Sequence, residues 1–328
     1  MTDRLRGVFL DWHSIDQDDL NLDAIESIID LTLHAACPPD RVVETVGDAE
    51  IVIVNKVVLD RKTLHSLPAT RLVCVIATGI NNIDLEAASE LGIRVCNVRD
   101  YAAASVSQHV FLLILALYTR FLDYQRDIDA GAWQAQSQFC LLHHPMRELA
   151  GKTLGLIGYG HIARAVEAIA RAFGLEVLVA NSLSTPTGAQ PGRTPLADLL
   201  RQADIVSLHC PLSPLSRNLI ADEQLALMKN DAIIINTARG GIINQADLLQ
   251  ALRSGQIGGA GIDCLAQEPP AADDPMVNAG LSNLIVTPHN AWGTVEARQR
   301  LVDGTTANIA ALVEGRLDTA GNPASLNP

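Results

Sequence analysis

The sequence predicts an α/β protein built on two doubly wound parallel sheets. Three observations carry this expectation. Short apolar runs alternate with longer helical patterns, the alternation occurs in two separate series, and 328 residues make two domains at about 150 residues each. In the first series, Val8-Phe9-Leu10, Ile51–Val54, Leu72–Ile76 and Ile93–Cys96 read as strands. Continuous apolar runs of this length suit strands covered on both faces, as parallel strands are. Helical patterns lie between them at Leu22–Leu33 and Leu85–Leu91. A long helix is expected over Tyr101–Leu122. The second series follows at Thr153–Ile157, Glu176–Ala180, Asp204–Leu208, Ala232–Asn236, Gly259–Cys264 and Leu284–Thr287. It includes a helix over Ile162–Phe173 that Gly174 stops. Helix returns over Val295–Glu314 with no strand after it. The expected organisation is discontinuous: residues 1–100 and 294–328 form one domain, and residues 101–293 form a second domain inserted into it.

Composition narrows the function classes. Hydrophobic residues make up 48% of the chain and charged residues 19%, enough apolar surface for packed cores. The net charge of −13 and 4% aromatic content argue against nucleic acid, which needs a basic field and stacking platforms. The same charge is repelled by an anionic membrane surface. The longest apolar stretch, Val110–Tyr118, falls far short of the roughly 20 residues that span a bilayer. No apolar signal-peptide core follows Met1, and the six cysteines contain no C-x-x-C pair. A cytoplasmic protein with reduced cysteines is expected.

The run Thr153–Ala163 reads as strand, glycine turn and helix start, and Gly158-x-Gly160-x-x-Ala163 fits G-x-G-x-x-G/A. Gly158 permits the tight turn, Gly160 lets a pyrophosphate approach the backbone, and Ala163 lets helix and strand pack closely. The helix N-terminus at His161-Ile162 favours the negative charge. Six strands around such a turn make a Rossmann-like dinucleotide domain. The next strand ends at Asn181, where an NAD site commonly has Asp or Glu on the ribose 2′-OH. Asn181 accepts a hydrogen bond without repelling a 2′-phosphate. Arg193 is the first cation after Glu176. NAD is the expected cofactor, with NADP left open.

Polar residues stand at or just past three later strand ends: Thr237-Ala238-Arg239, Asp263 followed by Glu268, and His289. Ligands in open parallel sheets bind beyond the carboxyl ends of strands, so these side chains can converge. Here the chain resembles the D-isomer-specific 2-hydroxyacid dehydrogenases, most of all their glycerate dehydrogenase (hydroxypyruvate reductase) branch. The resemblance covers nearly the whole chain. It includes Ala77–Asp84, Ser105–His109, the glycine turn and an Arg-Glu-His order with gaps of 29 and 21 residues.

The resemblance implies a set of roles. Arg239 would bind the substrate carboxylate and keto oxygen, since a guanidinium is always charged and forks onto two oxygens. His289 would be the acid/base at the carbonyl oxygen, and Glu268 would orient its imidazole and favour the charged form. Asp263 would hold the nicotinamide carboxamide, with Thr237, Ala238 and Arg239 lining the ring side and Val106 against its face. His209-Cys210-Pro211 would lie near the adenine. Thr78-Gly79-Ile80 would lend backbone N–H groups to the carboxylate. Apart from the resemblance, Asn55 is expected in the substrate site, and Trp292, three residues past His289, is expected to wall it. Hydride would pass directly between nicotinamide and substrate, which calls for no metal.

Adjacent His143 and His144 are not expected to share a metal, and His109 is expected to be a packing residue between the domains. Asn55-Lys56 offers one cation for a substrate phosphate, and little chain follows the last helix to form a regulatory domain. A small unphosphorylated 2-keto acid is therefore favoured: hydroxypyruvate, with glyoxylate as a side substrate. The resemblance implies a homodimer, for which Ala130–Leu142, with Trp133 and Phe139, could form an apolar arm. The alternative is an NAD-sensing, corepressor-like protein without significant turnover.

Overall fold

The computed structural model describes residues 4–184 and 190–317. The chain divides into two compact units. Unit 1 holds residues up to Tyr101 and those from Gly293 onward, and unit 2 runs from Ala102 to Trp292.

In unit 1 the elements are β1 (Arg6–Phe9), α1 (Asp23–Glu26), β2 (Asp30–Leu33), α2 (Val42–Val46), β3 (Ile51–Val54), α3 (Arg61–His65), β4 (Leu72–Val75), α4 (Leu85–Glu90) and β5 (Arg94–Asn97). The five strands pair in parallel in the order β2-β1-β3-β4-β5. Strands β3 and β4 are buried throughout, which explains their unbroken apolar runs. The strand order reverses at β1/β3. Asp11 joins the loops that follow these two strands: its carboxylate accepts from the backbone N–H groups of Asn55 (2.8 Å), Lys56 (2.6 Å) and Val57 (3.2 Å).

The segment Leu22–Leu33 corrects the sequence reading. It holds a single turn of helix, α1, and then the edge strand β2. Asp30–Leu33 is largely exposed and takes its hydrogen bonds from β1 alone, so its own sequence carries little strand signal.

Unit 2 begins with α5 (Ala103–Tyr118) and α6 (Phe121–Asp129). These replace the single long helix expected over Tyr101–Leu122. The break falls at Arg120, whose backbone is left-handed (φ 54°). Then follow β6 (Thr153–Ile157), α7 (His161–Ala172), β7 (Glu176–Val179), α8 (Leu196–Gln202), β8 (Ile205–Leu208), α9 (Asp222–Leu225), β9 (Ile233–Asn236), α10 (Gln245–Ser254), β10 (Gly259–Ile262) and β11 (Leu284–Val286). All six strands are parallel in the order β11-β10-β9-β8-β6-β7, with the reversal at β6/β8.

Unit 1 closes with α11 (Val295–Val313), which packs on α1, β4 and β5. The buried Arg298 of α11 ties the two chain segments of unit 1 together. Its guanidinium donates to both carboxylate oxygens of Asp19 (2.7 and 2.6 Å) and to the carbonyl of Ile15 (2.8 Å). Hydrogen bonding to Arg298 holds the Asp19 carboxyl below its ordinary range. No single helix among the described residues is long and apolar enough to cross a membrane.

Gly158, directly after β6, has φ 88°. A Cβ there would stand 2.6 Å from the backbone of His209 and Cys210, which follow β8. Conformation and packing therefore both demand glycine at the switch point. Gly158→Ala is expected to lower unfolding stability by about 1–3 kcal/mol, as read by denaturant titration.

Candidate active site

The carboxyl edge of the unit 2 sheet gathers the polar residues singled out in the sequence. At its centre is Asp263, one residue past β10 and 1% exposed. A buried carboxylate is tolerated only when hydrogen-bonded. Its Oδ1 accepts from the Thr287 hydroxyl (2.5 Å) and the Asn290 N–H (3.1 Å), and its Oδ2 accepts from the Ala291 N–H (3.1 Å). The His109 Nε2, from α5, lies 3.0 Å from Thr287 Oγ1 and 3.6 Å from Asp263 Oδ1. Burial pushes the His109 imidazole below its ordinary value despite the attraction of Asp263. With Nε2 protonated, His109 donates to Thr287, whose hydroxyl donates in turn to Asp263.

These bonds hold the loop that carries His289. The His289 backbone is left-handed (φ 51°), a conformation that needs support from its surroundings. Trp292 supplies part of it by donating its indole N–H to the His289 carbonyl (2.9 Å). The His289 Nδ1 lies 2.7 Å from Glu268 Oε2. The other oxygen of Glu268 accepts from the Leu265 N–H (2.9 Å). Glu268 is therefore fixed on one side by backbone and on the other by imidazole. This leaves Nε2 of His289 as the ring nitrogen available to a substrate, and both side chains are about one-third exposed.

Arg239 lies on the turn after β9. Asn236, buried at the strand end, braces this turn by donating to the Arg239 carbonyl (2.9 Å) and accepting from the Ala238 N–H (3.1 Å). The exposed Arg239 side chain donates to the Ala238 carbonyl (2.7 Å). At Gly240 a Cβ would stand 1.8 Å from the Leu265 carbonyl oxygen, so this turn and the loop leading to Glu268 are in direct contact.

Three buried side-chain atoms along this edge have no partner: Asn181 Oδ1 after β7, His209 Nδ1 after β8 and Thr237 Oγ1 after β9. Buried polar atoms are ordinarily paired, so a row of orphans at three strand ends fits a polar group lying along the edge. The glycine turn and the N-terminus of α7, which no side chain caps, lie between the first two. This donor and acceptor set fits a dinucleotide.

The family model for the D-isomer specific 2-hydroxyacid dehydrogenase NAD binding domain matches residues 111–291. The chain is 43% identical over 278 residues to a glycerate dehydrogenase of Methylorubrum extorquens, covering 85% of this chain and 87% of that one. It is 34% identical to a hydroxypyruvate reductase of Blautia hydrogenotrophica, covering 95% and 98%. The fold is similar to that of the TT0316 protein of Thermus thermophilus (TM-score 0.83, 29% identity, covering 98% and 100%).

The chain belongs to the D-isomer-specific 2-hydroxyacid dehydrogenases.

This dehydrogenase is thus an oxidoreductase acting on CH–OH, and the non-catalytic alternative is displaced. Arg239, Glu268 and His289 lie on the same sheet edge, and Glu268 and His289 are in direct contact. In the glycine turn, Gly160 and His161 are exposed, Ile162 is half-buried and Ala163 is buried. Cys210 is buried, while Pro211 is exposed and accepts from Ser216 through its carbonyl (2.6 Å).

Other expected residues are more enclosed. Val106, expected against the nicotinamide, is 5% exposed. Asn55, expected in the substrate site, is also buried, and its amide donates to Ser14 Oγ (3.0 Å). Asp263 makes three bonds to the His289 loop, which makes it a positioning residue first. Trp292 is bonded to the His289 backbone and braces it, beyond any role as a wall. Thr78 is exposed, with Gly79 and Ile80 half-buried, in a turn that Asn97 holds by donating to the Thr78 carbonyl (2.7 Å).

The network of His109 and Thr287 was not read from the sequence because His109 meets Thr287 across 178 residues, and Thr287 meets Asp263 across 24. His143 and His144 also depart from their reading, since both Nε2 atoms lie 2.7 Å from Asp127 Oδ2. Adjacent histidines converge here because the chain beyond α6 is irregular and free of helical or strand spacing.

His209 links this edge to pH. Burial pushes its imidazole down to about 4. The unfolded value is about 6.5, so between these limits the unfolded chain binds more protons. This contribution to stability is fully present above about pH 6.5 and declines as pH falls toward 4, by up to about 3 kcal/mol. Denaturant unfolding at several pH values should show His209→Gln losing that part of the slope.

Proposed function

We propose that the enzyme reduces hydroxypyruvate to D-glycerate, with glyoxylate as a side substrate and NAD as cofactor, NADP also being admitted. The observation that carries the chemistry is the fixed Glu268–His289 pair, on the same sheet edge as Arg239. Unit 2 serves the dinucleotide and unit 1 serves the substrate. In this scheme the dinucleotide contacts are Gly158, Gly160, His161, Ile162, Asn181, His209, Cys210, Pro211, Thr237 and Ala238. Bound along that edge, the nicotinamide supplies the hydride that reaches C2 of the keto acid. Arg239 holds the carboxylate and draws electron density toward the keto oxygen. His289 gives the Nε2 proton to the developing alkoxide, and Glu268 stabilises the imidazolium through Nδ1. In oxidation the same proton returns to Nε2.

The substrate choice is supported by the relatives at 43% and 34% identity, named for glycerate and hydroxypyruvate. A cytoplasmic site is supported by six free cysteines, four of them buried. A homodimer is supported by exposed apolar side chains around α6 and the irregular arm after it: Phe121, Trp133, Phe139 and Leu142 are 58%, 49%, 89% and 71% exposed. Sedimentation at micromolar concentration is expected to give about twice the 35.1 kDa chain mass. A monomer alone would refute the dimer.

Oxidation of NADH and NADPH, followed with hydroxypyruvate, glyoxylate, pyruvate and a longer 2-keto acid, tests the substrate. Hydroxypyruvate is expected to give the highest kcat/KM, and a preference for the longer acid would overturn the assignment. His289→Ala is expected to lower kcat by about 10²–10⁴-fold with little change in NADH affinity. Equal losses in both would refute the acid/base role.

A further inference from the structure

We propose that Asp127, His143 and His144 form a binding site for a late first-row divalent cation, zinc above all, which pins the chain beyond α6 to that helix. The inference is independent of the substrate and cofactor readings, because it uses no residue of the sheet edge that carries Arg239, Glu268 and His289.

Local structure brings the three side chains together. Asp127 stands in the last turn of α6, and Tyr124 precedes it by three residues on the same side of the helix. The Tyr124 hydroxyl donates to the His144 carbonyl (2.8 Å) and accepts from the His144 N–H (3.2 Å). Both backbone groups of His144 are thus held from α6. Three residues further on, the Arg147 N–H donates to the Tyr118 carbonyl at the end of α5 (2.9 Å), and the Arg147 side chain pairs with Asp231 (2.8 Å). The chain is therefore tied down on both sides of the crossing. The Tyr124 ring meets the imidazoles of His143 and His144 edge-on, at centroid distances of 5.8 and 5.0 Å. Neighbouring residues of a regular strand point to opposite faces. The irregular backbone here turns both imidazoles to one side, with ring centres 4.3 Å apart.

Both Nε2 atoms lie 2.7 Å from the same oxygen, Asp127 Oδ2. Two imidazole nitrogens and a carboxylate oxygen thus stand within 4.8 Å of one another. This donor set suits zinc, cobalt(II) and nickel(II), whereas magnesium and calcium take oxygen ligands. A tetrahedral ion about 2.0–2.1 Å from each ligand holds its donors about 3.3 Å apart. The two 2.7 Å contacts then open by about 0.6 Å, which side-chain rotation supplies because His143 is 50% exposed. The ion takes the place of the Nε2 protons that otherwise link each ring to the carboxylate. The exposed side leaves the fourth position to water. The net charge of −13 also favours a divalent cation.

Cys264, Glu268 and His289 also converge within 4.8 Å, but they belong to the sheet edge already described. The Cys264 sulfur tells the two clusters apart, since only that cluster can give a thiolate-to-metal band.

The test is calorimetric titration of the intact, chelator-treated protein with zinc chloride, with cobalt(II) as a spectroscopic probe. The wild type is expected to bind zinc at this site with a Kd on the order of micromolar. Zinc should raise the melting temperature, and EDTA should reverse the rise. His143→Gln, His144→Gln and Asp127→Asn should each weaken this binding by about tenfold or more. Cobalt(II) should give visible d–d bands without a thiolate band, and the bands should vanish when both histidines are replaced. Asp127→Asn keeps the side-chain shape and serves if a histidine variant does not fold. No saturable zinc binding by the wild type, or binding that the three variants retain unchanged, would overturn the site. A cobalt(II) spectrum that shows only the thiolate-bearing species would overturn it as well.

Discussion

The arrangement of the active site depends on one buried carboxylate. Asp263 sits at the end of β10 with almost no exposure, and its desolvation is offset by the Thr287 hydroxyl and two backbone N–H groups. All three donors belong to the loop that carries His289. The carboxylate thus couples the position of the sheet to the position of His289. His109 extends the coupling to α5 through Thr287. Because burial holds His109 below its ordinary value, this contact is a neutral hydrogen bond and adds no second buried ion.

Around this anchor, the His289 backbone adopts a left-handed conformation that the loop must impose. Three contacts from different parts of the chain do so: Asp263 on the neighbouring N–H groups, Trp292 on the carbonyl and Glu268 on the ring. The result is an imidazole with one nitrogen committed and one free. Such preorganisation serves the proposed acid/base role, since it avoids reorienting the ring as the proton moves.

Much of this was legible in the sequence. The parallel strands appear as apolar runs because burial on both faces removes the need for alternation. The glycine turn was legible because φ and close packing at Gly158 leave no other residue type. Arg239, Glu268 and His289 were found from their places after strands. The misreadings share a cause: the deciding contact was remote in sequence or the local pattern was ambiguous. Edge strand β2 resembles a helix because it is exposed and paired on one side only. The long helix was overextended because its break at Arg120 is conformational and carries no glycine or proline.

The sequence by itself determined the fold class and the dinucleotide turn, because these follow from local periodicity and from residue types with few substitutes, and resemblance to the family pointed to Arg239, Glu268 and His289. Only the tertiary structure decided which partners those residues meet. It directed Asp263 toward the His289 loop, drew His109 and Thr287 into the same network, and brought His143 and His144 onto Asp127. Hydrogen bonds act over about 3 Å, and the groups they join come from distant strands and loops, so no local pattern in the chain could specify them.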